Sequence, residues 1–388
     1  MQLSKDQEQV ATLVFKWLRE GCNPKFITLG GYAGTGKSTL IGYIKNQLDR
    51  VSKEKIKIGF CSYTGRAVQN LKNKLTETKS LSTRDTISTI HGLIYKPMEN
   101  EHGVITGWLK KEQIDVQLII VDEASMIDEY IWSDLTSYGI PIIAVGDHGQ
   151  LPPIRGAFNL MQKPLLKLEE IHRQEKDNPI IEVSIHARQK GVIPGKKFGP
   201  RVVKYTPEDF SFSEISMELL ENYKTDTLVL CGYNTTRNKI NQFIRYSLGF
   251  ETPTPQSGDR VICLRNNHKR GIYNGMLGTI KRIKLLNEQW YDAEIFMDDI
   301  ETLYHGKIYA PQFGSPEPIN FTKDRIKASD GDLFDFGYAL TVHKAQGSQA
   351  KKVVLFEERF AKMDDDQWKR WLYTAVTRAE EELYIFGA

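Results

Sequence analysis

Residues 30–39 read GGYAGTGKST, and their glycines, lysine and hydroxyls are spaced to hold phosphate. The pattern Gly31-x4-Gly36-Lys37-Ser38 follows an apolar run, FITLGG, and precedes a helix-like one, KSTLIGYIKNQL, the context a phosphate-binding loop requires. Backbone N–H groups from Gly31 through Ala33, Gly34, Thr35 and Gly36 can wrap an anion, and the next helix adds its dipole. Lys37 is expected to reach the β and γ phosphates, the Ser38 hydroxyl to ligate Mg²⁺, and Thr39 to line the same site. A second run, LIIVDEAS, ends in Asp122-Glu123, with Asp122 as the metal-side carboxylate and Glu123 as the base for an attacking water. A third, VGDHGQLPPI, offers Gln150, which both donates and accepts and so can sense a γ phosphate or orient water. This set points to ATP hydrolysis with Mg²⁺, and no acceptor site suggests transfer to a second substrate.

Short runs of Ile, Val and Leu (FITLGG, IKIGFCS, QLIIVDEAS, PIIAVGD) alternate with amphipathic segments such as GRAVQNLKNKL. That alternation predicts a parallel sheet covered by helices on both faces, with ligands at the carboxyl ends of its strands. Every motif above follows such a run. A second α/β set starts near residue 170, with TLVLCGYN, KVVLFEE, WKRWLYTAVTRA and EELYIFG. Between its halves, SGDRVICLRNN, NGMLGTIKRIKLL and WYDAEIFMDD have the alternation and turn residues of a small antiparallel barrel. The expected layout is a first domain over 1–170 with an insertion at 92–114. A second covers 171–250 and 335–388 and is interrupted by an inserted domain at 251–334.

Composition narrows the class. Lys plus Arg (52) nearly balances Asp plus Glu (49), so any polyanion site must be a local groove rather than a global field. The four cysteines form no CxxC pair, which argues against a disulfide framework or structural zinc and for a reducing compartment. The N-terminal MQLSKDQEQV has no apolar signal region, and no stretch approaches the roughly 20 apolar residues of a membrane span. A soluble, cytoplasmic protein is expected.

With these segments in this order the chain resembles a superfamily 1 helicase. CSYTGRAVQNL, STIHGLI, LEEIHRQ, FGYALTVHKAQGSQ and WLYTAVTRA are similar to its successive motifs, and TVHKAQG in particular resembles the RecD and phage Dda branch. The resemblance implies an α/β fold of two RecA-like P-loop-type parallel-sheet domains. ATP would lie between them, facing Arg173 and Arg378, whose planar charge suits a transferring phosphoryl group. Gln7 resembles the glutamine that reads adenine, and Gln346 and Gly347 fall in a motif touching the nucleotide. Gln349 stands where this branch often has an acidic residue. Single-stranded DNA would be held without sequence readout by Ser62, Thr64, Arg66, His91, Pro152, Asn234, Thr341 and His343. The 92–114 insertion is similar to a pin hairpin that splits the duplex, with Met98 and Trp108 as wedge residues or, equally, as packing for their own domain. The 251–334 insertion resembles a Src-homology-3-like barrel that guides DNA.

The resemblance implies an ATP-dependent DNA helicase acting as a monomer on single strands and forks, in the 5′-to-3′ direction. Two alternatives stay open. Nothing in the sequence reads a 2′-hydroxyl, so RNA is one possible track. The other is a non-unwinding ATPase subunit of a repair or recombination complex.

Overall fold

A computed structural model of the chain describes residues 3–51, 56–99, 105–152, 158–170, 178–265, 267, 270, 272, 274–298, 302–315 and 330–388; the side chains of residues 66, 97–99, 105–108 and 302 fall outside that description. Arg173, Met98 and Trp108, as side chains, therefore lie outside the described set. Backbone packing divides the chain into two units, Met1–Met98 with Trp108–Ile181, and Glu99–Gly107 with Glu182–Ala388.

The first unit carries a six-stranded sheet built from β1 (Phe26–Gly31), β2 (Ile58–Ser62), β3 (Thr86–Thr89), β6 (Leu118–Asp122), β7 (Ile142–Gly146) and β8 (Leu166–Leu168). Its order is β3-β2-β6-β7-β1-β8, with every neighbouring pair parallel. β2 and β7 are buried along their whole length, as apolar runs covered on both faces must be. Successive residues of β6 serve two different cores: Leu118 and Ile120 join Leu29, Leu40 and Phe60, while Ile119 and Val121 join Ile131, Trp132 and Ala144. Each such fully buried side chain contributes about 1.5–3 kcal/mol.

Helices α1 (Lys5–Arg19), α2 (Lys37–Val51), α3 (Gly65–Glu77), α4 (Ile90–Ile94) and α5 (Glu129–Thr136) surround this sheet. Ser4, Thr64, Thr89 and Asp128 cap α1, α3, α4 and α5, each accepting from a backbone N–H in the first turn. Register sets the functional edge. Ser62 pairs with both Thr89 and Asp122, Gly30 with Gly146, and Gly31 with Leu168, so the strands end together at one carboxyl rim. Between α4 and β6, β4 (Tyr95–Glu99) and β5 (Ile105–Lys110) form a separate two-stranded sheet.

The second unit contains α6 (Pro179–Lys190, which begins in the first), β9 (Lys197–Gly199), β10 (Val202–Tyr205), α7 (Phe212–Glu221), β11 (Thr227–Cys231), α8 (Asn234–Ser247), β17 (Ala339–Thr341), β18 (Ala350–Phe356), α9 (Asp365–Val376) and β19 (Ala379–Phe386). Its sheet, ordered β17-β11-β18-β19-β10-β9, is parallel except at the β9 edge. A five-stranded antiparallel sheet, β15-β14-β13-β12-β16, is built from β12 (Arg260–Cys263), β13 (Leu277–Asn287), β14 (Trp290–Met297), β15 (Thr302–Tyr309) and β16 (Phe334–Phe336). It has its own core around Val261, Ile280, Ile295 and Phe334. Val261 pairs with Phe336, which carries this sheet two residues past the expected limit of 334.

Buried ion pairs fasten this sheet to α8. The Arg245 guanidinium donates to both carboxylate oxygens of Asp259 at 2.8 and 3.0 Å, and Arg237 donates to Asp335 at 2.9 Å. Removing one partner of such a pair leaves an uncompensated buried charge and costs about 3–5 kcal/mol. All four cysteines are buried free thiols.

Candidate functional site

The loop after β1 is shaped for an anion. Gly34 and Gly36 sit at φ +78° and +73°, where a side chain is strained, and a Cβ on Gly31 would come within 2.6 Å of Thr35 Oγ1. Lys37 opens α2 and folds back, its ammonium donating to the carbonyls of Gly31 (2.9 Å) and Tyr32 (3.1 Å). Gln7 is fully buried against the same loop. Its Nε2 donates to the carbonyls of Thr35 (3.2 Å) and Gly36 (3.3 Å), while its Oε1 accepts from Ser4 N–H (3.0 Å). The residue expected to read adenine thus also locks the start of α1 to the phosphate loop.

At the end of β6, Asp122 Oδ1 accepts from the N–H of Glu123 at 3.0 Å. Glu123 itself adopts φ 53°, ψ 39°, a left-handed conformation that costs an L-residue about 1–2 kcal/mol. Strain of this kind concentrates where a side chain must be aimed. β7 delivers the third loop. Gln150 is buried there, with its Nε2 3.5 Å from Asp147 Oδ2.

Three residues of this edge escaped the sequence reading. The nearly inaccessible Asp147 carboxylate accepts from Gly149 N–H (2.9 Å) and lies 4.0 Å from the Lys37 ammonium, joining the β7 loop to the phosphate loop. Tyr32 and His148 bring their rings together across the same two loops, centroids 4.1 Å apart. Asp147 had a signal, a carboxylate directly after an apolar strand as at Asp122. Tyr32 and His148 had none.

The expected strand-binding residues separate into kinds. Ser62 is fully buried and donates to the Asp122 carbonyl at 3.0 Å, so its hydroxyl braces the acidic strand end. Thr64 caps α3 through Ala67 N–H (3.2 Å). His91 packs on the Tyr95 ring (centroids 5.3 Å), and burial lowers its pKa against the opposing pull of Asp128. Pro152 and Asn234 are partly exposed, Asn234 at the first turn of α8. Thr341 is buried at the end of β17, two residues before a partly exposed His343 whose pKa burial also lowers.

In the second unit Arg378 is only 3% exposed, and its guanidinium donates to the carbonyls of Thr374 (3.0 Å) and Ser348 (3.1 Å). This contact draws it against the loop of Gln346 and Gly347, with Gln346 buried and Gly347 at φ +75°.

Lys344, beside His343, is held at a pKa of about 8 by burial and then by the neighbouring Arg237, with Asp335 and Cys231 opposing. The unfolded side chain titrates near 10.5, so from pH 8 to 10.5 the unfolded chain holds more protons and stability rises with pH. Lys344→Met is therefore expected to raise the melting temperature at pH 7, by a gain that shrinks across that window. Thermal melts over the pH series check this, and a pH-independent gain would rule out charge as its cause.

Residues 16–156 match the AAA domain family, and residues 336–386 match the UvrD-like helicase C-terminal domain family. The chain is 34% identical to the RecBCD enzyme subunit RecD of Buchnera aphidicola, an alignment covering 92% of this chain and 69% of that protein. The chain belongs to the RecD family of superfamily 1. It is also 26% identical to the ATP-dependent RecD2 DNA helicase of Deinococcus radiodurans over 94% of its own length, and spans 47% of that longer protein. Against the ATP-dependent DNA helicase dda of Enterobacteria phage T4 it is 25% identical, over 98% of both chains. In fold, this RecD-family chain is similar to the Bacteroides Pif1 helicase solved with ADP-AlF3 and ssDNA (TM-score 0.55, 17% identity, 99% of this chain and 92% of that one).

Proposed function

We propose that this chain is an ATP- and Mg²⁺-dependent DNA helicase that moves along single strands and opens forked duplex. The observation that carries the reading is one rim, in a chain of this family, presenting Lys37, the Asp122-Glu123 strand end and the Asp147–Gln150 loop together. Lys37 binds the β and γ phosphates of ATP. Ser38 and Asp122 offer hard oxygen donors of the kind Mg²⁺ takes, and the ion when bound neutralises phosphate charge. Among the described residues no three His, Cys, Asp or Glu side chains converge on a metal cage, so phosphate and water oxygens would complete such a site. Glu123 accepts the proton of the attacking water, and Gln150 orients that water.

Gln7 is proposed to couple adenine to the loop it already braces. Arg173 and Arg378 are proposed as the phosphoryl-stabilising arginines on their motif positions alone. Thr64, Arg66, His91, Pro152, Asn234, Thr341 and His343 are proposed strand contacts; Ser62 is proposed to act from beneath them. The β4–β5 pair is proposed as the strand-separating hairpin, and the five-stranded antiparallel sheet as a guide for DNA. Movement in the 5′-to-3′ direction is proposed on resemblance to the RecD and Dda branch alone, and monomeric action is proposed with it.

The test is ATP hydrolysis by the purified chain with and without single-stranded DNA, an RNA oligomer in parallel, and forks bearing 5′ or 3′ tails. Single-stranded DNA is expected to raise turnover by about tenfold or more, and only the 5′-tailed fork to open. Turnover indifferent to nucleic acid overturns the motor reading. The RecD relatives are named as subunits of a RecBCD enzyme, which favours a second reading, a motor that works only in a larger assembly. DNA-stimulated turnover without unwinding by the chain alone would select it.

A further inference from the structure

We propose that Asp134 is a positioning residue that mounts the β4–β5 hairpin on helix α5, and that duplex opening depends on this mount. The inference rests on reading that hairpin as the strand-separating element.

Asp134 meets both roots of the hairpin. Its Oδ2 accepts from the hydroxyl of Tyr95, the first residue of β4, at 2.5 Å, and its Oδ1 lies 3.5 Å from the ammonium of Lys110, the last residue of β5. The same ammonium donates to Ser137 Oγ at 2.5 Å and stands 5.3 Å over the Tyr138 ring. The Tyr138 hydroxyl donates to the Lys111 carbonyl at 2.7 Å, with the Ile94 carbonyl at 3.0 Å, and the Lys111 ammonium donates to the carbonyls of Gly92 (2.8 Å) and Leu93 (3.0 Å). Both chain ends of the hairpin are thus fixed to α5 and the turn after it.

Helix α5 is itself packed into the core. Ile131, Trp132 and Leu135 bury one side of it in the core shared with β6, and Asp134 lies partly exposed on another. The helix begins six residues after Glu123, so one short, packed segment carries both the hydrolytic carboxylate and the hairpin mount. Burial and the Asp134 bond together push the Tyr95 pKa up, which keeps its hydroxyl proton in place as a donor.

Magnitudes separate this role from general stability. Asp134 and Lys110 are each more than one-third exposed, and exposed pairs contribute only about 0–1 kcal/mol. Removing the carboxylate should therefore leave the fold standing. A wedge that must push against a base pair, however, needs a stiff root, and the loss should appear in duplex opening rather than in hydrolysis.

The experiment compares Asp134→Ala, Asp134→Asn and Tyr95→Phe in the full chain, alongside a chain with residues 99–107 replaced by Gly-Gly. Single-turnover opening of a forked duplex is measured with single-strand-stimulated ATP turnover. For Asp134→Ala, opening is expected to fall about tenfold with turnover within about twofold of the parent, and Asp134→Asn, which keeps an acceptor for Tyr95, to lie between. If the Gly-Gly chain opens forks normally, the hairpin reading fails and this inference with it. If that chain is inert but Asp134→Ala opens forks normally, the hairpin reading stands and the mount is refuted. Parallel loss of turnover and opening in Asp134→Ala would assign Asp134 to the fold alone and equally overturn the proposal.

Discussion

Lys37→Ala is expected to lower ATP turnover by about a thousandfold or more while single-stranded DNA affinity stays within about threefold. The magnitude follows from one charge. A unit positive charge about 4 Å from a phosphate oxygen is worth roughly 4 kcal/mol at an effective dielectric of 20, close to three decades in rate. The Lys37 side chain is largely withdrawn from solvent, and two loop carbonyls hold its ammonium at the mouth of the loop. Alanine is a good helix former at the first position of α2, so the helix itself survives. What is lost is the charge and the counterion of Asp147. The measurement pairs steady-state ATPase with fluorescence anisotropy of a labelled single strand, and a thermal melt guards against misfolding. Simultaneous loss of both activities in a folded variant would move the nucleotide site elsewhere.

The strands of the first sheet were legible because burial on both faces leaves a local record. IIAVG and LIIVD can be read as buried strands from their own letters, and parallel pairing then puts their ends at one rim. The P-loop was legible for a similar reason, since its requirement for glycine is backbone geometry at adjacent positions. Contacts between distant positions left no such record. Gln7 meets the carbonyl of Thr35, 28 positions away, through its own amide; Ser62 meets Asp122, 60 positions away, only because β2 and β6 pair in that register. Residue type suggested that Ser62 could donate to a phosphate, but the pleat turns it inward. Arg378 likewise reads as a free guanidinium from its motif, whereas its fork spans two carbonyls from different segments. The extra residues of β16 were missed because Phe334 and Phe336 look like any buried pair until β12 is alongside.

Glu123→Gln separates binding from chemistry, and it is expected to cut hydrolysis by about 10²- to 10⁴-fold with ATP affinity unchanged within about threefold. The glutamine keeps the shape of the side chain and one acceptor oxygen but cannot take a proton from water. Steric disturbance is therefore small, and the loss reports the base. Backbone geometry sharpens the expectation. Glu123 is held at φ 53° between a strand whose end is braced by Ser62 and a short 3₁₀ turn leading into α5. That conformation is unfavourable for either residue, so the substitution should not relax it. Melting temperatures of the two proteins should then agree within about a degree, a shift of no more than roughly 1 kcal/mol for a chain of this size. Titration with a fluorescent ATP analogue and steady-state ATPase on the same preparation give both quantities. Hydrolysis within about threefold of the parent would remove Glu123 as the base and leave Asp147, 4.0 Å from Lys37, as a carboxylate to examine. Loss of analogue binding would instead show that the carboxylate helps hold the nucleotide. Lys37→Ala, by contrast, should weaken analogue binding as well as hydrolysis, because the proposed ammonium–phosphate contact is already made in the ground state and strengthens as charge develops in the transition state.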